Sequence, residues 1–567
     1  MDAENKRGGR AARFLLIWLA AVLGGYGLLA AVYTLPVPVM AQRGPQAAAL
    51  LAQEGKNPRL IPGFTASALD NFTDALMLNI ACYQGEGADG GPAWLEAARN
   101  NRWEYAGKGP YESAIAWLSG QSGAESAVSY ARYWNGYLVP LKVLLLAAGY
   151  PAIRTLYLVA ELVLLAVLAA LMVKRKMARY LGALAVAVVF ATPVVFTRSM
   201  QYAAVAQVTL GASIAVLALK SDRHLPELFF CAGIAVNYLD LLTTPLVTLG
   251  FPMVLAALRF GGGEDWKAGA RKAVLWGGSW LLGFGGMWAG KWLLGTAVTG
   301  RSVLADAAAN IAVRTSADEG SAAFSRWMAP ARNLEAYGHG IYIAVLAGYA
   351  AGGALWMAAV RKKSPRPDRG RVVLLAAAGV LPFIWYLLMA NHSYIHYWMT
   401  CRNLAVTAFA LCAVLTPPGR EPEGPKPAGE GEDAAIGDLP HAHAGDGGDG
   451  HGGVELIHHG DAVGAHAPAV LFAKGFGDEL LALDGAEEGD GAGDGHRGYV
   501  VRIGGHGEGE VRQGEGHAPH DPAVGVVVDG LEGESALGVS LLDVDDMGTR
   551  RFRGEMVSRK FLFGCFK

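Results

Sequence analysis

The chain has 567 residues and a net charge of −2, with 52% hydrophobic but only 17% charged residues. A soluble globular domain carries about 25% charged residues, so this composition excludes an ordinary soluble protein. The five cysteines form no CxxC pair and no Cys/His spacing typical of a zinc site, so a disulfide scaffold is not expected. The character changes near residue 417, from strongly apolar before it to rich in Gly, Asp and His after it.

Ten segments before residue 417 are candidate membrane-spanning helices, which need about 20 mainly apolar residues. A further apolar stretch, 137–149, is too short to span and is expected to lie along the membrane interface. The sequence therefore predicts an all-α polytopic membrane protein. The candidate spans lie near 14–34, 152–173, 180–197, 202–219, 225–241, 244–259, 273–295, 340–360, 372–390 and 398–416.

Lysine and arginine indicate the orientation of the spans, because they cross the membrane poorly and stay cytoplasmic. Basic residues precede the first span (residues 1–13) and follow the second, fourth, sixth and eighth spans. With ten spans, all these positions and both chain termini fall on the cytoplasmic side, which supports the count. The residues are Lys6, Arg7, Arg10, Arg13, Lys174, Arg175, Lys176, Arg179, Lys220, Arg223, Lys267, Arg271, Lys272, Arg361, Lys362, Lys363, Arg366, Arg369 and Arg371.

Five segments then lie on the outer face, and they carry the unusual polar residues. Two are long loops, near 34–136 and 297–338, and long loops in compact proteins are commonly functional. The other three are short and lie near 198–201, 238–245 and 391–396. We therefore expect the active side of the molecule to be extracytoplasmic.

Two carboxylates in the first outer loop are the main candidates for catalysis. Asp70 and Asp74 are four residues apart, so a helix over 67–80 places both on one face. A carboxylate there can act as the general base that deprotonates an acceptor hydroxyl while a sugar–phosphate bond breaks. The alternative is a polar pair that caps the loop helix. The sequence does not choose between Asp70 and Asp74 as the base.

Cations in the outer segments are candidates for binding phosphate. Arg132 lies among aromatic residues, where it can clamp a phosphate or extend to lipid head groups. Arg314 is the better candidate for the oxygens of a leaving polyprenyl phosphate, on which negative charge builds in the transition state. Lys291 lies in an apolar run, and extension of its ammonium group to the interface is the favoured interpretation.

Two histidines lie at the start of the last span. His392 and His396 are four residues apart, and Arg402 follows about two helical turns below His392 if the helix begins there. No HExxH pattern accompanies them, so hydrogen bonding to a phosphate or sugar is favoured over metal binding. An aromatic-rich structural interface is the alternative. Asp240, at the edge of the fifth span, is a further functional candidate or the partner of an arginine.

The tail, residues 417–567, begins with a proline-rich linker and then alternates Gly, His, Asp and Glu. Its apolar periodicity is poor, which predicts a disordered cytoplasmic segment. A loose metal-binding segment and a small β-rich domain near 497–546 are the alternatives. We assign no function to this tail from its sequence.

The layout over residues 14–416 resembles the GT-C superfamily of polyprenyl-phosphate-sugar-dependent glycosyltransferases. The resemblance rests on the acids Asp70 and Asp74 in a large first outer loop, and three motifs are similar to an uncharacterised bacterial branch. The usual acidic motif has two acids adjacent or one apart, so the spacing of four leaves the base open. The three motifs are Arg132-Tyr133-Trp134-x-Gly136, Asn237-Tyr238-Leu239-Asp240-Leu241-Leu242-Thr243 and Asn391-His392-Ser393-x-x-His396.

The resemblance implies a GT-C-like fold in a bacterial plasma membrane and an inverting displacement with an Asp base. It also implies a phosphate bound by Arg314, His392 or His396, with Arg132 and Arg402 as further candidates. No nucleotide-binding motif is present, in keeping with an external enzyme, and no nucleic-acid partner is expected. Members of the superfamily differ in their use of a divalent cation such as Mg²⁺ or Mn²⁺, and too few ligands are present here to choose.

Two other classes of function remain open on the sequence. A transporter, flippase or ligase for lipid-linked glycans also needs many spans, but transporters often show internal repeats and broken helices near the membrane centre. No clear repeat is found, and the polar residues gather at the outer boundary. A membrane scaffold without chemistry gives no role to Asp70, Arg314 or His392. The sequence therefore favours a transferase, and it does not name the sugar or the acceptor.

Overall fold

The computed structural model describes residues 2–83, 85, 91–123, 126–263, 265–319, 322–360 and 368–416. It also describes five strand segments of the tail, at 500–503, 509–512, 524–530, 537–545 and 548–551. The chain divides into two compact units at about residue 421. The first unit is almost entirely helical, as the sequence predicts.

The first part of the helical unit is one long helix followed by the elements of the large first loop. The loop helices are short, and two short strands pair antiparallel. The elements are α1 (Asp2–Val32), α2 (Val37–Ala41), α3 (Gly44–Glu54), α4 (Asn71–Ala81), α5 (Ala93–Arg99), β1 (Arg102–Glu104), α6 (Pro110–Leu118), β2 (Ser126–Val128) and α7 (Leu138–Ala147).

The rest of the unit is a bundle of helices with a second loop region between α14 and α17. A two-residue strand pair lies in that region. The elements are α8 (Tyr150–Lys174), α9 (Leu181–Ala191), α10 (Pro193–Phe196), α11 (Met200–Ala218), α12 (Leu225–Leu239), α13 (Val247–Phe260), α14 (Trp266–Thr299), α15 (Val303–Thr315), β3 (Asp318–Glu319), β4 (Ala322–Ala323), α16 (Met328–Glu335), α17 (Gly340–Val360), α18 (Arg369–Leu388), α19 (Ala390–Ile395), α20 (Tyr397–Thr400) and α21 (Leu404–Leu415).

All ten segments predicted to span the membrane are largely helical. Among the described residues, five helices are long and apolar enough to cross a membrane, or six if α16 and α17, bent by 88°, form one span. These apolar helices indicate a membrane protein. The helices over three other predicted spans are shorter, so the count of ten stays a prediction. The five are Gly9–Val32, Tyr150–Lys174, Met200–Ala218, Arg369–Leu388 and Tyr397–Leu415.

Glycine lets two helices of the bundle approach closely. A Cβ atom at Gly233 of α12 would lie 2.2 Å from the carbonyl oxygen of Trp280 on α14, and one at Gly283 would lie 2.1 Å from that of Phe230. Both distances are far below van der Waals contact, so neither position accommodates a larger residue. Small residues at helix contacts are a common device of membrane bundles, where packing replaces the hydrophobic effect between helices.

The described part of the tail consists of antiparallel strands. β5 (Val500–Ile503) pairs with β6 (Gly509–Arg512). β8 (Leu537–Asp545) pairs with β7 (Val524–Gly530) on one side and β9 (Gly548–Arg551) on the other. The remaining tail residues lie outside the described part, and for them disorder stays a prediction.

Candidate functional site

Asp70 is the N-cap of α4, in a turn closed by Thr73. Its carboxylate accepts hydrogen bonds from the Thr73 backbone N–H at 3.0 Å and from Thr73 Oγ1 at 2.7 Å. The residue is only 4% exposed, and burial raises the pKa of this carboxyl to about 6, against the lowering effect of the Thr73 hydrogen bonds. The predicted loop helix is present as α4, which begins at Asn71, and the capping alternative describes the local geometry of Asp70.

Asp74 lies on the first turn of α4 and is fully buried. Its carboxylate accepts hydrogen bonds from Tyr150 Oη at 2.6 Å and from the backbone N–H groups of Met200 and Gln201 at 3.1 and 3.2 Å. The Ser199 hydroxyl is a fourth donor at 3.5 Å. Asp74 therefore caps α11, a helix of the bundle, and joins the first loop to it.

Asp240 forms a turn of the same kind as Asp70. It accepts hydrogen bonds from the Thr243 backbone N–H at 2.9 Å and from Thr243 Oγ1 at 2.6 Å. Gln201 Nε2 is a further partner at 3.3 Å, and no arginine pairs with Asp240 among the described residues. Because Gln201 also donates its backbone N–H to Asp74, this residue links two buried carboxylates.

Arg314, His392 and His396 form a cluster, as the phosphate hypothesis requires. Arg314 Nη1 lies 3.2 Å from His392 Nδ1 and 3.0 Å from His396 Nε2. Burial, with the nearby guanidinium, lowers the pKa of His396 to about 4 and holds the pKa of His392 well below its usual range. Both rings are therefore neutral near pH 7, and each accepts a hydrogen bond from Arg314.

A backbone turn joins this cationic cluster to the acids. His392 Nε2 donates to the carbonyl oxygen of Leu242 at 2.9 Å, and Leu242 lies inside the turn closed by Asp240 and Thr243. Leu242 has a φ of 72°, a left-handed conformation that is strained for leucine. The hydrogen-bonded turn holds this strain and presents the Leu242 carbonyl to His392.

Arg132 adds positive charge on another side of the cluster. Its Nη1 pairs with Asp306 Oδ2 at 3.2 Å, and its guanidinium lies 5.0 Å from the centre of the Tyr130 ring. Burial raises the pKa of Tyr130 to about 12, against the lowering effect of Arg132, Arg102 and Arg314. Three arginines thus lie close enough to influence one tyrosine.

Two buried cations contact the loop rather than the cationic cluster. Arg402 is fully buried, and its Nη2 donates to the carbonyl oxygens of Ala66 and Ala68 at 2.8 and 2.9 Å, just before Asp70. Lys291 is also fully buried, and its ammonium group donates to the Ala98 carbonyl at 3.0 Å. The expectation that Lys291 extends to the interface is wrong, because its ammonium group binds carbonyl groups at the C-terminal end of α5 inside the protein.

The five segments predicted to share one face do contact one another. Hydrogen bonds or ion pairs join the first segment to the second through Asp74, the second to the third through Gln201, and the third to the fifth through His392. Arg314 then joins the fourth segment to the fifth, and Arg132 joins the first to the fourth. We call the end of the bundle where these segments meet the loop end.

Several residues of this site were not found from the sequence. Tyr150, Gln201 and Thr73 hold the carboxylates, yet none belongs to a charged motif. Thr73 had a signal, because Asp-x-x-Thr before a helix predicts a cap. The contacts of Tyr150 and Gln201 arise only from tertiary packing. Within the described ranges, no group of three or more His, Cys, Asp or Glu side chains is arranged to hold a metal ion.

Comparison of the chain with protein-family models, curated proteins and solved structures finds no match. The class that the structure supports is a mostly helical membrane protein.

Proposed function

We propose that this protein is an integral membrane glycosyltransferase. It moves a sugar from a polyprenyl-phosphate donor to a cell-envelope glycan or lipid-linked acceptor on the extracytoplasmic face. The observation that carries the proposal is the hydrogen-bonded connection, at the loop end, between buried carboxylates and the Arg314–His392–His396 cluster. A displacement at a sugar–phosphate bond needs a base on one side of the sugar and cations on the other.

Asp70 is the proposed general base. Among the described residues, Thr73 alone donates hydrogen bonds to its carboxylate, so acceptor sites remain for a hydroxyl proton. A pKa of about 6 suits a base that works near neutral pH. Asp74 has donors on both oxygens and no exposed surface. We therefore propose that Asp74 anchors α11. Arg402 binds the backbone just before Asp70, and we propose that it positions the base.

Arg314 is the proposed ligand of the donor phosphate. The neutral rings of His392 and His396 orient its guanidinium without cancelling its charge. Arg132 forms an ion pair with Asp306, whose side chain is half-exposed, so solvent weakens the pair. Arg132 can therefore place a second guanidinium against the phosphate oxygens. Positive charge at these positions stabilises the negative charge that builds on the leaving phosphate.

The reaction is a single displacement. The acceptor oxygen forms a bond to the anomeric carbon while the bond from that carbon to the phosphate oxygen breaks, and the acceptor proton passes to Asp70. The configuration at the anomeric carbon inverts. The prenyl chain of the donor stays in the bilayer between helices. Dependence on Mg²⁺ or Mn²⁺ is left to titration of the purified protein with chelator.

The proposal includes the finer architecture that the resemblance implies. It places ten spans in a bacterial plasma membrane, with both termini cytoplasmic, the two long loops outside and a GT-C-like arrangement of helices. The convergence of all five predicted outer segments at the loop end supports this topology. An odd number of spans between any two of these segments would have sent them to opposite ends of the bundle.

Transport, flipping or ligation of lipid-linked glycans is the second candidate. The observation in its favour is a pair of facing helix breaks. Thr192, with a φ of 57°, separates α9 from α10, and its Oγ1 lies 2.8 Å from the hydroxyl of Tyr342, just after the bend between α16 and α17. Broken helices are common at transporter binding sites.

The test compares Asp70→Asn with Asp74→Asn and with Asp222→Asn, which changes a partly exposed acid between α11 and α12, at the other end of the bundle. Each is made in the native host, membrane protein levels are measured, and the surface glycan is analysed by mass spectrometry. Purified protein is also assayed with a panel of polyprenyl-phosphate sugars.

We expect Asp70→Asn to reach normal levels and to lose one glycosyl increment, with turnover reduced about 10²- to 10⁴-fold. Asp222→Asn should retain the glycan. An unchanged glycan in a normally abundant Asp70→Asn variant contradicts the proposal, and vesicle transport assays of lipid-linked glycans would then test the second candidate.

A further inference from the structure

A cavity of about 100 Å³ lies within the helical bundle, below the segment that binds Asp74. Helices α8, α9, α10, α11 and α13 form its walls. The lining is apolar apart from two threonines and one carboxyl group, that of Glu161. The principal lining side chains are Leu162, Leu165, Phe196, Leu210 and Phe251, together with Glu161.

Glu161 lies deep in a candidate membrane span. It follows Tyr150, the first residue of α8, by eleven residues, which corresponds to about 16 Å along the helix. The hydrocarbon core of a bilayer is about 30 Å thick, so the carboxyl group lies near its middle. Ionisable residues at this depth are rare and almost always face a partner or a functional cavity.

No partner of Glu161 is found in the part of the chain that the structure describes. The residue is 7% exposed, and its Oε1 has no hydrogen-bond partner. Tyr157, one turn earlier on α8, is the nearest titratable neighbour, and the cavity walls from α9, α10, α11 and α13 contribute no other titratable group. An unpaired charge here is costly, so without a partner the Glu161 carboxyl group is protonated and neutral.

The cavity is reached from the lipid side of the bundle. Leu162 and Pro193 are on its rim, and both are exposed on the surface of the apolar helices. A molecule that enters there is lipid-soluble. The feature that distinguishes this cavity from an ordinary apolar groove is the single unpaired carboxyl group.

We propose that this cavity binds a lipophilic organic cation, whose positive charge pairs with the Glu161 carboxylate. The cation enters from the bilayer as the carboxyl proton leaves, so the net charge of the site does not change. Pairing at low dielectric removes the cost of the buried carboxylate and gives selectivity for cations over uncharged molecules of the same shape. This inference does not rest on the proposed transferase activity.

Binding of phenyltrimethylammonium to the full chain in detergent tests the proposal, because its trimethylammonium group matches a cavity of about 100 Å³ and its ring can extend through the lipid-facing opening. Titration calorimetry is carried out over several pH values and in two buffers of different ionisation enthalpy, with uncharged tert-butylbenzene as the isosteric control and the smaller tetramethylammonium as a second cation. We expect one proton released per cation and a Kd about tenfold tighter per pH unit. Tert-butylbenzene should bind more weakly and without proton release.

Glu161→Gln should weaken cation binding at least tenfold and abolish proton release, whereas Glu161→Asp should keep the coupling. Glu227→Gln is the matched control, because Glu227 lies on α12 and pairs with Arg13 at 3.2 Å. If the Glu161→Gln variant does not fold, the presence or absence of proton-coupled cation binding in Glu161→Asp tests the proposal. Unchanged binding in Glu161→Gln, equal binding of tert-butylbenzene, or no saturable binding of either cation to the wild type would overturn the proposal.

Discussion

At the scale of single residues, Asp70 and Asp74 show how one helical turn can separate two roles. Asp70 caps its own helix, α4, and accepts hydrogen bonds from Thr73. Asp74 instead accepts hydrogen bonds from α8 and from the start of α11. A carboxylate whose lone pairs are all engaged is a poor base, because a new proton must displace an existing donor. The difference lies in the partners and not in the residue type.

The pH dependence of turnover should therefore report Asp70. The base works as the carboxylate, and its pKa is about 6, so the rate should rise tenfold per pH unit below about 6 and level off above it. Burial holds the pKa values of both histidines low, at about 4 for His396, so they are mostly neutral over this range and should contribute little. Initial rates between pH 4.5 and 8 check this. If the acidic limb shifts in Asp240→Asn, Asp240 rather than Asp70 is the titrating base.

Asp74→Asn should mainly lower stability. The amide keeps one acceptor but turns an N–H group toward existing donors, so α11 loses part of its cap, and we expect a cost of about 3 kcal/mol. Thermal unfolding in detergent measures the loss. Ser199→Ala, which removes two long contacts of 3.5 Å, to Asp74 Oδ1 and to the carbonyl oxygen of Asp70, should cost far less. A stable but inactive Asp74→Asn protein would transfer the role of base to Asp74.

The sequence identified the important charged residues better than it identified their roles. It selected Asp70, Arg314, His392 and His396 because acids and cations are rare near apolar spans, and the structure places the last three in contact. It assigned Lys291 and Arg402 less well. Both were judged by position along a span, whereas their contacts are carbonyl groups of a loop distant in the chain. Such contacts depend on how the loop folds back.

At the scale of elements, buried cations attach the first loop to the bundle. Lys142 on α7 donates to the carbonyl of Ala81 at 2.7 Å, where α4 ends, and Lys291 on α14 donates to that of Ala98, near the end of α5. Carbonyl groups at helix C-termini lack intrahelical partners and carry partial negative charge, so they are suited to a buried ammonium group. At the start of α11 the charges are reversed, because the Asp74 carboxylate accepts hydrogen bonds from the free backbone N–H groups of that helix.

Lys291→Met should loosen this attachment. The substitution leaves the carbonyl groups of Ala97 and Ala98 buried without their donor, at an expected cost of about 2 kcal/mol. The measurements are thermal unfolding and limited proteolysis within the first loop, which should become faster. Lys267→Met removes an exposed lysine near the other end of α14 and is the matched control. Equal stability of the two variants would show that Lys291 does not hold the loop.

Helix α11 is held at both ends by groups that match its dipole. Asp74 binds its N-terminal amides, while Arg175 from α8 and Arg259 from α13 donate to carbonyls at its C-terminal end. The helices themselves were predictable from apolar runs, because length and hydropathy set them. Their exact ends were not, since breaks such as Thr192 and bends such as that before α17 depend on packing.

At the scale of the whole molecule, buried aspartates lie at one end of the bundle and short basic turns between helices lie at the other. The loop end carries Asp70, Asp74 and the Arg314 cluster, whereas the opposite end carries Arg175, Arg259 and the pair of Lys272 with Asp222 at 2.8 Å. We call the latter the basic end. Because basic residues stay cytoplasmic, this separation predicts the orientation independently of the number of spans. It also explains why the outer segments could be grouped from sequence before their contacts were known.

Single cysteines at the two ends of α14 should show this orientation directly. We expect α14, which contains the predicted span 273–295, to cross the membrane. Its 34 residues, about 51 Å, would then extend at both ends beyond a hydrocarbon core of about 30 Å. In intact cells a membrane-impermeant maleimide should label Arg301→Cys, just after the loop end of α14, and should label Lys267→Cys at its basic end only after permeabilisation. The wild-type chain gives the background from the native thiols. Labelling of Lys267→Cys in intact cells, with protection of Arg301→Cys, would place the candidate site on the cytoplasmic face, where a polyprenyl-phosphate donor facing outward could not reach it.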